Sequence, residues 1–374
     1  MEQNRIEKMK SKSLYPFFFL LILGAAACND NTSPIATDFE RGAMLDHLAN
    51  TVIVPRLQSW YNQVEALDEK VNDFEQDPNE TTLEAAQTAW RSMAQSWQKV
   101  SGFGFGPGEL SLGAIDQTLG TFPVNETAIE NAIQAQNFSL DNFQRDVRGI
   151  FALEYLLFDP LGGNQAVLAL YQAQEADDRR AYLAAVMDNL LSNAEMVWQG
   201  WASYKATFIS NDGTSAGSSV ALLFNEFSRN YEGLKNFKVG LPAGKRPGQT
   251  QIAPDKVEAY YSQMSRELLQ IHFDALVALW EGQGENSQEG PGFREYLLSV
   301  AGGTELVAAT EAQIALVRQA LQALPTGSFS ATLENNLGLV EQLHTELQKL
   351  TRFFKSDMAS LLGIAITFDS GDGD

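Results

Sequence analysis

Glu154-Tyr155-Leu156-Leu157, followed by Gly162-Gly163, occurs a second time as Glu295-Tyr296-Leu297-Leu298, followed by Gly302-Gly303. The two glutamates are 141 residues apart in the chain. Upstream of each string, a Phe/Gly/Pro element recurs with an offset of 135 residues, ending at Pro107 and at Pro242. Two similar offsets indicate an internal duplication. Chance similarity between leucine-rich helices is the alternative, because the string is short and favours helix.

Apolar residues around these strings have helical spacing. They recur every three or four positions over 45–57, 90–97 and 183–191, which is typical of amphipathic helices. Further helices are predicted over 218–236, 254–282, 303–323 and 329–363, with Gly or Pro in the breaks between them. Residues 364–368 could be extended, but one short strand does not make a sheet. The predicted fold class is therefore all-α.

The duplication divides the body of the chain into two helical halves. The most linker-like stretch, residues 210–219, is rich in Ser, Gly, Asn and Thr and separates the two copies. We predict an N-terminal helical bundle over 38–211 and a C-terminal helical bundle over 212–368, packed together as pseudo-symmetric repeats. Residues 369–374 are predicted to be a frayed acidic tail, because they lack the spacing of a calcium-binding loop.

Residues 1–27 have the pattern of a signal peptide, with basic residues before an apolar run that is too short to span a bilayer. The run ends in small residues before Cys28, the only cysteine, so no intramolecular disulfide accounts for it. The string before Cys28 resembles a lipobox, which implies a lipid on this residue and a polar tether over 28–37. An ordinary signal peptide with a buried cysteine is the alternative. We expect a lipid-anchored protein of the bacterial cell envelope.

The charge balance narrows the range of partners. Removing residues 1–27 takes away four basic and two acidic side chains, which leaves 22 Lys and Arg against 45 Asp and Glu, a net charge of −23. An acidic surface repels nucleic acid, which binds basic faces. Anionic lipid headgroups are repelled as well, so membrane attachment is expected to come from the lipid at Cys28.

Several common catalytic patterns do not occur in the sequence. The three histidines, His47, His272 and His344, do not form a His-Glu-x-x-His pair or another two-histidine metal spacing. Neither a Gly-x-Ser-x-Gly elbow nor a phosphate-binding Gly-Lys-Ser/Thr loop is present. His272 lies among apolar residues and is expected to be a hydrogen-bonded packing residue.

Glu154 is the ionisable residue that most needs a partner. It lies in an apolar helical segment and shares a face with Phe151 and Phe158, so burying it unpaired would cost several kcal/mol or raise its pKa. The partner could be structural, namely Arg145, Arg148, a tyrosine hydroxyl or a helix N-terminus in the other half. It could also be a bound cation. We favour a structural partner, since buried carboxylates are usually paired.

Gly149-x-Phe151-x-x-Glu154 resembles the Gly-x-His-x-x-Glu motif of the imelysin-like proteins. Segments that agree with the same family are 50–57, 105–107, 238–242, 257–262 and 359–368. The resemblance implies two four-helix bundles related by pseudo-symmetry, with a site between them near the motif helix. The family is classed with metallopeptidases of the M75 type, and related proteins serve in iron uptake.

The sequence departs from the motif at one position, because Phe151 stands where the family has histidine. Phenylalanine has no lone pair, which leaves Glu154 as the one metal-ligating candidate in the motif, with Glu295 as its repeat counterpart. Catalytic zinc ordinarily has three protein ligands, so we expect no catalysis. The favoured hypothesis is a protein that binds iron, an iron complex or an envelope partner through a groove between the bundles. Iron or another metal is a possible cofactor, but the sequence does not supply a complete set of ligands for it. The alternatives are an M75-type metallopeptidase and a surface module that docks a protein or glycan.

Overall fold

The computed structural model describes residues 39–174, 176–285 and 287–367. Within these ranges the chain is helical, apart from loops and one very short hairpin. The predicted signal peptide, Cys28, the tether over 28–37 and the tail over 369–374 lie outside the described residues.

The first half begins with a long helix that contains a π-helical turn. It runs through α1 (Arg41–His47), a π-helical segment (Leu48–Ile53) and α2 (Val54–Gln76). Pro55 has no N–H to donate to the carbonyl of Thr51, which interrupts the regular hydrogen-bond ladder at this point. A π-helical turn inside an α-helix is often found at a functional site.

Three further helices complete the first bundle. They are α3 (Glu80–Trp97), α6 (Gly149–Leu157) and α8 (Ala176–Ser210). The side chain of Asn79 accepts hydrogen bonds from the first N–H groups of α3, and the Thr82 hydroxyl accepts the N–H of Asn79, so this helix start has a complete capping box. Helix α2 packs against α3 and α8, while α6 packs against α3 and α8.

The second half repeats this plan. Its first helix, α9 (Ser219–Gly233), also continues into a π-helical segment (Leu234–Gly240). The other long helices are α10 (Ser265–Trp280), α12 (Gly303–Ala323) and α14 (Leu337–Thr351), the last of which continues through a π-helical segment (Arg352–Asp357) into α15 (Met358–Leu362). Helix α12 packs against α14, and both α10 and α14 contact the first helix of this half.

Short elements fill the connections. They are the helices α4 (Ile115–Leu119), α5 (Glu126–Gln134), α7 (Gly163–Tyr171), α11 (Phe293–Leu298) and α13 (Phe329–Asn335), the 3-10 turns Gly106–Gly108, Arg145–Val147 and Pro254–Lys256, and an antiparallel hairpin of β1 (Glu109–Leu110) and β2 (Gly113–Ala114). The all-α prediction is confirmed, since the hairpin has only two residues in each strand.

Two helix predictions need correction. The predicted helix over 254–282 is wrong in its first part, because residues 257–263 form turns and α10 begins at Ser265. Two residues of these turns, Ala259 and Gln263, have φ of 54° and 60°, which an α-helix does not allow. The predicted helix over 329–363 is interrupted at Asn336, between α13 and α14. By contrast, α12 has the predicted bounds.

The two halves share one continuous interior. Large aromatic side chains in both halves are fully buried, among them Trp60, Trp90, Trp201 and Trp280. Helix α3 contacts α10 and α1 contacts α9, so the described residues of the two halves form one compact unit. None of the helices in the described ranges has the length and apolar character that crossing a membrane requires.

Candidate functional site

The motif helix α6 starts at a glycine that no other residue can replace without strain. Gly149 has φ of +78°, and a Cβ there would lie 2.3 Å from the carbonyl oxygen of Leu119. The preceding residue, Arg148, is fully buried and donates to the carbonyls of Leu140 at 2.7 Å and Asn142 at 2.6 Å. Gly149 and Arg148 therefore fix the start of α6, and Arg148 is occupied by main-chain acceptors.

Glu154 lies in α6 with only 1% of its surface exposed. Its Oε1 accepts the backbone N–H of Ser262 at 2.6 Å, so the carboxyl reaches the turn just before α10 in the other half. Burial raises the pKa of Glu154 to about 8, and the negative charge of Glu258 adds to the increase, while the N–H groups of Ser262 and Tyr261 oppose it. Main-chain donors of the opposite half are thus one partner of this carboxyl.

Phe151 occupies the space beside Glu154. Its ring is 2% exposed and packs edge-on against Phe122, with 5.5 Å between the ring centroids. A void of about 20 Å³ remains between Phe151, Glu154 and the tyrosine pair Tyr260 and Tyr261. A cavity of this size holds one water molecule at most.

Glu295 has different surroundings from Glu154. It lies in the first turn of α11, where its Oε2 accepts the backbone N–H of Gly292 at 2.9 Å and its Oε1 pairs with Arg294 at 3.0 Å. Its side chain is 35% exposed. Glu295 thus caps its own helix, and its role as a repeat counterpart in a binding site stays a prediction.

A cavity of about 330 Å³ lies between the halves. Three aromatic residues, Trp97, Phe122 and Phe237, line it together with acidic, basic and amide side chains from both halves. Most ligand sites are clefts of roughly 300–1,000 Å³ that combine apolar walls with a few polar groups, so this cavity is at the small end of that range.

A buried ion pair forms part of the cavity wall. The Nζ of Lys238 lies 2.8 Å from Oε2 of Glu258, and the two side chains are only 8% and 3% exposed. Gln98, from the first half, accepts a hydrogen bond from Lys238 and donates to Oε1 of Glu258 at 3.2 Å. Burial lowers the pKa of Lys238, while Glu258 opposes this change. Lys238 belongs to the π-helical turn after α9.

His272 is a hydrogen-bonded interior residue, and it also lines the cavity. Its Nε2 lies 2.6 Å from Oδ1 of Asn230, whose Nδ2 donates to the Ser101 hydroxyl at 3.3 Å. Burial and the positive charge of Lys238 lower the pKa of His272 well below its usual value. The imidazole is therefore neutral at physiological pH.

The rim of the cavity contains a charge network that joins the halves. Arg229 in α9 donates to both carboxylate oxygens of Asp116 in α4, at 2.7 and 3.0 Å, and its Nε donates to Glu226 at 3.0 Å. Glu232, also on the cavity wall, accepts from Lys355 at 2.6 Å through Oε1.

The sequence singled out Glu154 but not Lys238 or Glu258. A signal was nevertheless present, because Lys238 lies between Phe237 and Val239, and Glu258 between Val257 and Ala259. Charged residues with apolar neighbours on both sides are candidates for burial and pairing.

The described ranges contain no group of three or more His, Cys, Asp or Glu side chains arranged to hold a metal ion. The assignment of Glu154 as a metal ligand stays a prediction.

The fold and the site together define an all-α protein of two helical bundles with a polar cavity at their junction. A family model described as imelysin, of the M75 peptidase group, matches residues 53–352, and the chain therefore belongs to the imelysin family. An iron-regulated protein A of Synechococcus elongatus is 21% identical over 307 residues, which cover 80% of this chain and 79% of the relative.

Solved structures have the same fold. An iron-regulated protein A precursor from Parabacteroides distasonis superposes with a TM-score of 0.70 at 18% identity, over 86% of this chain and 95% of the other. An imelysin-like protein from Psychrobacter arcticus superposes with a TM-score of 0.68 at 19% identity, over 88% and 97% of the two chains. Both similarities support the two-bundle fold.

Proposed function

We propose that this protein is an envelope lipoprotein that binds iron, or a small iron complex, in the cavity between its two halves and does not catalyse a reaction. The observation that carries the proposal is a cavity of about 330 Å³ that combines aromatic walls with a buried ion pair and a neutral histidine. Such an arrangement can enclose a small ligand and orient it through a few polar contacts.

Two features of the motif helix favour binding over peptide hydrolysis. Phe151 offers no lone pair to a metal, and it fills the space beside Glu154. The Glu154 carboxyl already accepts a main-chain N–H, and its raised pKa keeps it protonated at neutral pH. A protonated carboxyl is a poor metal ligand and a poor general base.

The link to iron rests on the names of the relatives. Two of them are called iron-regulated protein A. The envelope location rests on the signal-peptide pattern before Cys28, a region outside the described residues. The small volume of the cavity favours a compact iron species over a macrocycle such as haem.

Gly233 provides a test, because it lines the cavity, has helical φ of −57°, and a Cβ added to it would meet no atom within 4 Å. Gly233→Phe should therefore fill the cavity without straining the backbone. Gly338→Phe is the matched control, since Gly338 lies in α14, outside the cavity lining, and its Cβ direction is equally open.

Isothermal titration calorimetry with Fe²⁺ under anaerobic conditions, with ferric citrate and with haem measures the binding. We expect saturable binding of Fe²⁺ or ferric citrate to the wild-type protein and to Gly338→Phe, and its loss in Gly233→Phe. If none of the three iron species binds the wild-type protein, or if Gly233→Phe binds them unchanged, the proposal is wrong.

A further inference from the structure

Apart from Oε2 of Glu258, which pairs with Nζ of Lys238 at 2.8 Å, two acceptor atoms in the cavity wall are buried without a hydrogen-bond partner among the residues that the structure describes. They are Nδ1 of His272 and Oε2 of Glu232, in side chains that are 2% and 4% exposed. A buried polar atom without a partner loses its hydrogen bonds to water and gains none in return, so each such atom in a native structure requires an explanation.

The chemistry of His272 follows from its one hydrogen bond. The side-chain oxygen of Asn230 can only accept, so the Nε2 of His272, 2.6 Å away, carries the proton. The neutral ring then has a lone pair on Nδ1, which is therefore an acceptor in need of a donor.

Glu232 also has an acceptor atom that needs a hydrogen-bond donor, and its carboxylate is negatively charged. Lys355 donates to Oε1, while Oε2 has no donor among the described residues. Both acceptors belong to residues that line the same cavity. A ligand there has to offer donors, and a positive charge on it would be favourable.

Two of the three basic residues that line the cavity are already paired with acids. Arg229 is held by Asp116 and Glu226, and Lys238 is held by Glu258. An anionic ligand would compete with these internal carboxylates, in a chain whose formal net charge is −21. The exception is Nε of Arg145, a buried donor that fits one acceptor atom on the ligand.

From these contacts we infer that the cavity takes a small ligand with a positively charged group that donates hydrogen bonds to His272 Nδ1 and Glu232 Oε2. Two sources supply this chemistry, the coordinated waters of a hydrated divalent cation and a protonated amine. The inference rests on the proposed function, because it names the class of ligand for the same cavity and disfavours anionic iron chelates.

Calorimetry with Mn²⁺ and with putrescine, a metal-free diamine, distinguishes the two sources, and ferric citrate represents the anionic class. Binding in the cavity is the part of the measured binding that disappears in Gly233→Phe. Binding of a cation to the acidic surface should persist in that variant. Glu232→Gln removes the charge and should weaken binding of the cationic probe about tenfold or more, since a charged hydrogen bond is lost. Glu341→Gln is the matched control, because this exposed acid also pairs with a lysine but lies outside the cavity lining.

Glu232→Gln removes the negative charge that accepts from Lys355 at 2.6 Å, so thermal unfolding has to be measured alongside binding. If the single variant is unfolded, the double variant Glu232→Gln/Lys355→Gln restores a neutral pair and should show the same loss of affinity. Unchanged affinity for Mn²⁺ and putrescine in a folded Glu232 variant overturns the inference. Cavity binding of ferric citrate alone overturns it as well but leaves the proposed function standing. A wild-type protein that binds neither Mn²⁺ nor putrescine overturns the inference, and the proposed function falls with it only if Fe²⁺, ferric citrate and haem also fail to bind.

Discussion

Replacing Glu154 by glutamine should stabilise the protein at neutral pH. The glutamine oxygen can accept the N–H of Ser262 in place of the carboxyl oxygen, which now accepts it at 2.6 Å. Its amide can also donate to the buried Ser262 hydroxyl, which lies close to the Glu154 carboxyl. The change therefore keeps the contacts and removes the ionisable proton.

The magnitude follows from the pKa of Glu154, which burial raises from 4.5 to about 8 in the folded protein. Between these two pH values the unfolded chain loses a proton that the folded chain keeps, so stability falls as pH rises. Each pKa unit corresponds to about 1.4 kcal/mol, which gives a cost of about 1 kcal/mol at pH 5 and about 3 kcal/mol at pH 7. Glutamine does not incur this cost.

Urea unfolding at pH 5, 6 and 7, followed by tryptophan fluorescence, measures the difference. We expect the free energy of unfolding of Glu154→Gln to exceed that of the wild-type protein by about 1 kcal/mol at pH 5 and by about 3 kcal/mol at pH 7. Glu341→Gln, at an exposed site, controls for the general loss of one negative charge. A Glu154→Gln variant that gains no stability between pH 5 and pH 7 would refute the reasoning.

Three further substitutions test the motif helix and the cavity wall. Phe151→His places an imidazole one helical turn before Glu154. Calorimetry above pH 8, where the Glu154 carboxyl loses its proton, should detect Zn²⁺ binding that is lost in Phe151→His/Glu154→Gln, and no gain over wild type contradicts the prediction. Gly149→Ala should lower the free energy of unfolding, measured in urea, by about 3 kcal/mol. The reason is that Gly149 has φ of +78° and that an alanine Cβ would lie 2.3 Å from a carbonyl oxygen. A loss below about 1 kcal/mol would be inconsistent with this geometry. Lys238→Met should lower the free energy of unfolding by about 3–5 kcal/mol, because it leaves the Glu258 carboxylate buried without its cation. The double variant Lys238→Met/Glu258→Leu should recover part of that loss. A double variant that is as unstable as the single variant argues against the ion-pair explanation.

The sequence predicted helices well where the apolar pattern is regular and the ends carry signals. Helix α12 has the predicted bounds, 303–323, because a glycine precedes it and Pro325 follows its end. The start of α10 was missed because Ala259 and Gln263, which are not typical turn residues, adopt positive φ. The turn that contains them is held from the other half by Glu154, which accepts the N–H of Ser262, and local sequence does not encode this contact.

The surroundings of Glu154 and of the cavity also depend on contacts between the halves that local sequence does not encode. Apolar neighbours on both sides correctly indicated that Glu154 is buried, and a partner from the other half was among the alternatives. The partner itself is a backbone N–H, 108 residues away, and a backbone group has no sequence signature. The cavity residues Lys238, Glu258 and His272 are likewise far apart in sequence, so only the packing of the halves brings them together.

The geometry also explains how Glu154 can influence the cavity without lining it. Residues 257–263 contain two strained positions, at a cost of about 1–3 kcal/mol each, and such strain persists only where surrounding contacts impose it. Glu154 holds this turn through Ser262, and the same turn carries Glu258 to the ion pair with Lys238. Glu154→Ala removes the acceptor and frees the turn, whereas Glu154→Gln keeps it. The alanine variant should therefore weaken ligand binding in the cavity while the glutamine variant binds as the wild type does, and equal affinities in calorimetry would mean that the turn keeps its conformation without Glu154.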